Sequence, residues 1–135
     1  MKNLAIYKND ICLIAGSGLF VNEVANYLNF KKLLGQIIII NENKSLKKNF
    51  KNNCDEFNIK NLEKIISFIK SKNLRKIIII GYVDLPPLDK INLSIKSKIL
   101  ISKDIFLNNI NDQSKILKKY LLNNQLTLLS QKKLL

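Results

Sequence analysis

The chain has no histidine and no tryptophan, a single arginine (Arg75), two cysteines, two prolines and four glycines in 135 residues. Without histidine it lacks the side chain that most often moves protons or holds metals near neutral pH. Cys12 and Cys54 have no CxxC spacing and sit in apolar segments, so buried reduced thiols are expected rather than a disulfide or a metal site. No apolar run approaches the roughly 20 residues that span a bilayer. The tetra-isoleucine stretches Ile37 to Ile40 and Ile77 to Ile80 are strand-sized. Lys8, Asn9 and Asp10 interrupt any apolar segment near the N-terminus, so no signal peptide is read there and the expected location is cytoplasmic.

What is present is an ordinary globular balance, 47% hydrophobic and 24% charged, in a length suited to one domain with one core. The net charge of +13 invites a nucleic-acid or anionic-surface reading. Base readout leans on arginine forks and single-strand binding on aromatics interleaved with positive charge, and neither arrangement is found. Lysine, asparagine and isoleucine are abundant everywhere, which makes the charge mostly solvated surface. A basic nucleic-acid-binding protein is the least favoured alternative.

Ile11 to Ala15 is a short β-forming run that stops at Gly16-Ser17-Gly18, the pattern of a buried parallel strand entering a tight turn. Phe20, Val21, Val24, Ala25 and Leu28 then recur at helical spacing. Gly35 punctuates the chain before a second strand over 36–41. Residues 42–53 read as a loop or a poor helix, and Cys54 to Phe57 as a short strand. Leu62, Ile65, Ile66 and Ile69 make a second helix, with Asn58 or Asn61 as its N-cap and Asn73 suited to the left-handed position past its end. Lys76 to Gly81 repeats the strand-then-glycine pattern. Pro86-Pro87 closes that strand, and Asp89 can cap a helix carrying Leu88, Ile91 and Ile95. A further helix from about Asp112 carries Ile116, Leu117, Tyr120 and Leu121, and Leu126 to Leu129 is a last strand. The expected fold is α/β, a Rossmann-like three-layer domain with a mostly parallel sheet, in one domain over 1–135.

In such a sheet ligands bind beyond the carboxyl ends of the strands. Gly16-Ser17-Gly18, Glu42 and Gly81-Tyr82-Val83-Asp84 converge on that edge. The two glycines of the first loop let backbone approach a phosphate or sugar, and Ser17 adds a hydroxyl. A dinucleotide site is disfavoured, because Val21 replaces the third glycine of GxGxxG and Glu42 lies too far along for a ribose acid. No catalytic set is visible. Asp84 is a lone carboxylate beside two prolines, Asp55 and Glu56 point to opposite faces of a strand, and Asp104 and Asp112 sit where helix capping explains them. Tyr82 is placed to stack on a uracil or a sugar, or to pack.

The order of these segments resembles the N-terminal domain of the LpxI family of UDP-2,3-diacylglucosamine diphosphatases. Its members open on a strand and an Ile-Ala-Gly-Ser/Gly-Gly turn, here Ile14-Ala15-Gly16-Ser17-Gly18. A Leu-Gly-Lys-Leu-Ile-Lys-Phe-Leu-Lys helix follows, here Leu62 to Lys70, then an apolar strand ending in Gly-Lys/Asn-Val with Arg-Pro close behind, here Gly81 to Pro86. The resemblance implies a role in lipid A biosynthesis: hydrolysis of UDP-2,3-diacylglucosamine to 2,3-diacylglucosamine 1-phosphate and UMP, with a divalent metal such as Mg2+. It implies that Gly16, Ser17, Gly18, Gly81, Tyr82 and Val83 line the substrate cleft, joined by Asp112 from the family's Gly-Asp-Asp stretch. Leu85 stands where the family has arginine, and Lys60 and Glu63 stand where it has glycines.

The family's C-terminal domain carries the catalytic aspartate, and residues 130–135 resemble the connection into it, so the expectation is that this catalytic domain is absent from the chain. The chain is then the substrate-binding half, with no catalytic residue and no Mg2+ of its own. Its expected partners are UDP-2,3-diacylglucosamine or its sugar phosphate product and a C-terminal LpxI-type domain. A homodimer and a peripheral contact with the inner membrane surface are left open. The alternative is a stand-alone nucleotide-sugar or phosphate-binding module.

Overall fold

The computed structural model describes residues 8–18, 20–81 and 119–129. Among these residues, five strands form one sheet, β1 (Ile11–Ala15), β2 (Leu34–Ile39), β3 (Cys54–Glu56), β4 (Lys76–Ile80) and β5 (Thr127–Leu128), in the order β3-β2-β1-β4-β5. Every pairing is parallel. Helix α1 (Val21–Phe30) joins β1 to β2, α2 (Lys44–Asn49) joins β2 to β3, and a 3-10 turn (Ile59–Asn61) with α3 (Leu62–Ser71) leads to β4. Residues 119–123 are helical and precede β5. This is a Rossmann-like α/β fold.

The central strands β1, β2 and β4 are largely apolar because both faces of a parallel sheet are covered there, whereas the edge strand β3 carries exposed Asp55 and Glu56. In β1, Ile11, Leu13 and Ala15 enter the apolar cluster under α1 and α2, while Cys12 and Ile14 enter the one under α3. Val21, Ala25, Leu28 and Leu46 close the first face, and Leu62, Ile65, Ile66 and Ile69 with Tyr120 and Leu121 close the second. The chain steps from β1 outward to β2 and β3, then crosses back to β4. A uniform right-handed crossover rule puts the helices on opposite faces when the direction of travel reverses in this way.

β1 and β3 lie where the residue pattern places them, but β2 begins two residues earlier than the expected 36–41. Gly35 is inside the strand. Ile11 pairs with Leu34 and Cys12 with Gln36, so Gly35 is an extra residue bulged between two ladder pairs. A Cβ there would lie 2.5 Å from the Asn9 carbonyl oxygen, which is why only glycine fits. The expected buried stripe of α1 loses Phe20, which is the N-cap position and 65% exposed. Cys12 is fully buried, and burial pushes its thiol up to about 12. Cys54, expected to be buried, is half-buried because β3 is an edge strand. Burial still pushes its thiol up to about 11, aided by Asp55.

Where a loop or poor helix was expected, α2 forms. Asn43 Oδ1 accepts from the Leu46 N–H at 3.1 Å, a side-chain cap that a short lysine-rich helix needs. Replacing Asn43 with alanine is expected to cost about 1 kcal/mol, read from urea unfolding. Asn58 caps the 3-10 turn rather than α3, accepting from Lys60 N–H at 2.9 Å.

Three helices leave the same way. Lys32, Asn73 and Gln125 adopt left-handed φ of 59°, 60° and 64°. The next residues, Leu33, Leu74 and Leu126, donate back to Leu28, Ile69 and Leu121. These are Schellman exits made without glycine, and only the one at Asn73 was foreseen from residue type. The expected helices over 88–95 and from Asp112 to residue 118 lie outside the described residues.

Candidate functional site

β1 is flanked by β2 on one side and β4 on the other, so the direction of chain travel reverses between β1 and β4. In open α/β sheets ligands bind outside the carboxyl ends of the strands at such a switch point. Gly16 N–H donates to the Ile80 carbonyl at 2.9 Å, and Ile40 N–H donates to the Ala15 carbonyl at 3.1 Å. The ladder is thereby extended one step past each strand, which fixes where the loops start.

The two glycine loops then touch. Gly81 has φ of 83°, and a Cβ on it would lie 2.5 Å from the Ser17 carbonyl oxygen and 2.9 Å from Val21 Cγ2. A Cβ on Gly18 would lie 3.6 Å from Gly81 Cα. Gly16 is buried, while Ser17, Gly18 and Gly81 are exposed, so the contact presents bare backbone to solvent. α1 starts directly behind it with no side-chain cap at Phe20, leaving its first-turn N–H groups free of a capping side chain on the same edge. Of the residues expected at the site, the structure brings Gly16, Ser17, Gly18 and Gly81 together; Tyr82, Val83 and Asp112 lie outside the described residues.

Polar side chains that the sequence reading did not single out complete the edge. Asn41 donates from Nδ2 to Ser17 Oγ at 2.6 Å. Next to it, Asn43 donates to Asn22 Oδ1 at 2.9 Å, Ser45 Oγ donates to Asn43 Oδ1 at 2.9 Å, and Asn22 donates to Ser45 Oγ. The signal that could have found them is the alternation Asn41, Asn43, Ser45 directly after a buried strand, on the edge where ligands bind. Glu42 is exposed, 4.0 Å from the equally exposed Lys44, a pair worth little in water.

The carboxylates are dispersed. Asp10 pairs with Lys76 at the opposite edge of the sheet, Asp55 accepts from Gln36 at 2.8 Å, and Glu56 pairs with Lys47 at 2.8 Å. Among the described residues no three histidine, cysteine, aspartate or glutamate side chains gather into a group that could hold a metal ion. Among the described residues, no helix is long and apolar enough to cross a membrane.

The arrangement can bind and orient an oxygen-rich ligand through backbone N–H groups, a hydroxyl and amides. Comparison with curated proteins and with solved structures gives no match. A family model does match, over residues 10–135, that of the LpxI N-terminal domain. The span takes in the first strand, both glycine loops and the polar residues after β2, and on it the chain belongs to the LpxI N-terminal domain family.

Proposed function

We propose that this domain is the substrate-binding half of a UDP-2,3-diacylglucosamine diphosphatase in lipid A biosynthesis. It holds the phosphate-bearing part of the nucleotide sugar against the carboxyl edge of the sheet, where the β1 and β4 loops meet. The observation that carries this reading is the contact of Gly81 with the Ser17-Gly18 turn, which leaves side-chain-free backbone at the switch point of the sheet. An ionised phosphate needs donors and close approach, and this edge offers both. The domain's part is to bind and orient. Attack of water on the α-phosphorus, with the divalent metal's charge stabilisation, is assigned to the family's C-terminal domain.

Titration calorimetry of the 135-residue chain with UDP-2,3-diacylglucosamine is expected to give saturable binding. With Mg2+, release of UMP is expected to be negligible until a family C-terminal domain is added. Absence of binding, or robust turnover by the chain alone, overturns the proposal.

A further inference from the structure

Ser17 and Ser45 are two hydroxyls on the same edge with opposite hydrogen-bond bookkeeping. Ser45 accepts from Asn22 and gives its hydrogen to Asn43 Oδ1, so its hydrogen is consumed within the fold. Ser17 Oγ accepts from the Asn41 amide at 2.6 Å. A hydroxyl has a single hydrogen, and an oxygen already accepting from one side directs its O–H elsewhere. Ser17 is exposed beside Gly18 and Gly81, so elsewhere means the solvent side of that loop contact.

We infer that Asn41 is a positioning residue that holds the Ser17 hydroxyl as a donor toward a phosphate oxygen of the bound nucleotide sugar. The inference rests on the binding role proposed above. An ionised phosphate oxygen can only accept, so a serine with its hydrogen turned inward would meet it with lone pairs alone. The uncapped start of α1 on the same edge favours an anion over a neutral acceptor.

The test is a double-mutant cycle on the full chain, with binding of UDP-2,3-diacylglucosamine measured by calorimetry and folding followed by thermal melting. Ser17→Ala is expected to weaken binding about three- to tenfold, and Asn41→Ala somewhat less, with melting temperatures little changed. In the Ser17→Ala background, Asn41→Ala is expected to have no further effect. Asn41→Asp can only accept from Ser17, draws the hydroxyl hydrogen inward and adds negative charge, so it is expected to weaken binding at least as much as Ser17→Ala.

An Asn41→Ala loss of equal size with and without Ser17 overturns the inference while the binding role stands. So does binding by Asn41→Ala equal to that of the unaltered chain. Failure of the unaltered chain to bind overturns the binding role and this inference with it.

Discussion

Gly81→Ala is expected to destabilise the domain by about 2–5 kcal/mol and to abolish measurable binding at the carboxyl edge of the sheet. Two independent costs combine at this position. A residue with a Cβ in the left-handed region is disfavoured by about 1–2 kcal/mol, and Gly81 has φ of 83°. The added carbon would also sit 2.5 Å from the Ser17 carbonyl oxygen and 3.0 Å from the Ser17 carbonyl carbon, both backbone atoms that cannot rotate away. Relief requires the two loops to separate, which dismantles the bare-backbone surface. Gly18→Ala is the control, because its Cβ would find only ordinary contacts at 3.6 Å and 4.0 Å, leaving the conformational cost alone. Thermal unfolding should separate them, with Gly81→Ala lower by on the order of 10 °C. A Gly81→Ala protein that melts and binds as the unaltered chain does would refute the contact between the loops.

Leu13→Ala is expected to cost about 3–5 kcal/mol, a large part of the 5–15 kcal/mol typical of a domain. Leu13 is fully buried in the middle of the central strand and pairs with Ile37 on one side and Ile78 on the other. Neighbours held in a sheet ladder cannot collapse into the vacated volume, so the cavity persists and its cost is paid in full. Leu122→Ala, at a residue 52% exposed, is expected to stay within about 0.5 kcal/mol. Urea titrations of the two variants check both values through the shift in midpoint. Similar midpoints would contradict the burial of Leu13.

The strand runs were legible because a parallel strand buried on both faces is written as an uninterrupted apolar segment. β1 and β4 illustrate it, with Ile11 to Ala15 and the isoleucines up to Ile80 ending at glycine. β2 was misplaced by two residues because Gly35 looked like punctuation. The close backbone of Asn9 that demands a glycine there is a tertiary fact with no local mark. α2 was read only as a loop or a poor helix for a different reason. Leu46 is its only buried residue, so no period could register, and it is the Asn43 cap that starts it. Phe20 was assigned to the core on spacing alone, although the helix begins one residue after it. At the candidate site, the glycines could be read from their position after strands, whereas Asn41 could not, since an exposed asparagine acquires meaning only once Ser17 is found beside it.

The pairing of β1 with β4 also orders events in time. A nascent chain that has emerged only as far as β3 holds β1, β2 and the Gly16-Ser17-Gly18 turn, yet β1 still has one open edge of unpaired N–H and C=O groups. Among the described residues that meet at this edge, Ile80 and Gly81 come last, docking a distant segment onto β1. On the proposed reading, a half-made sheet lacks the edge that would hold the ligand. Ligand present during folding would act selectively on the fully docked state, drawing the population toward it in proportion to the logarithm of its concentration.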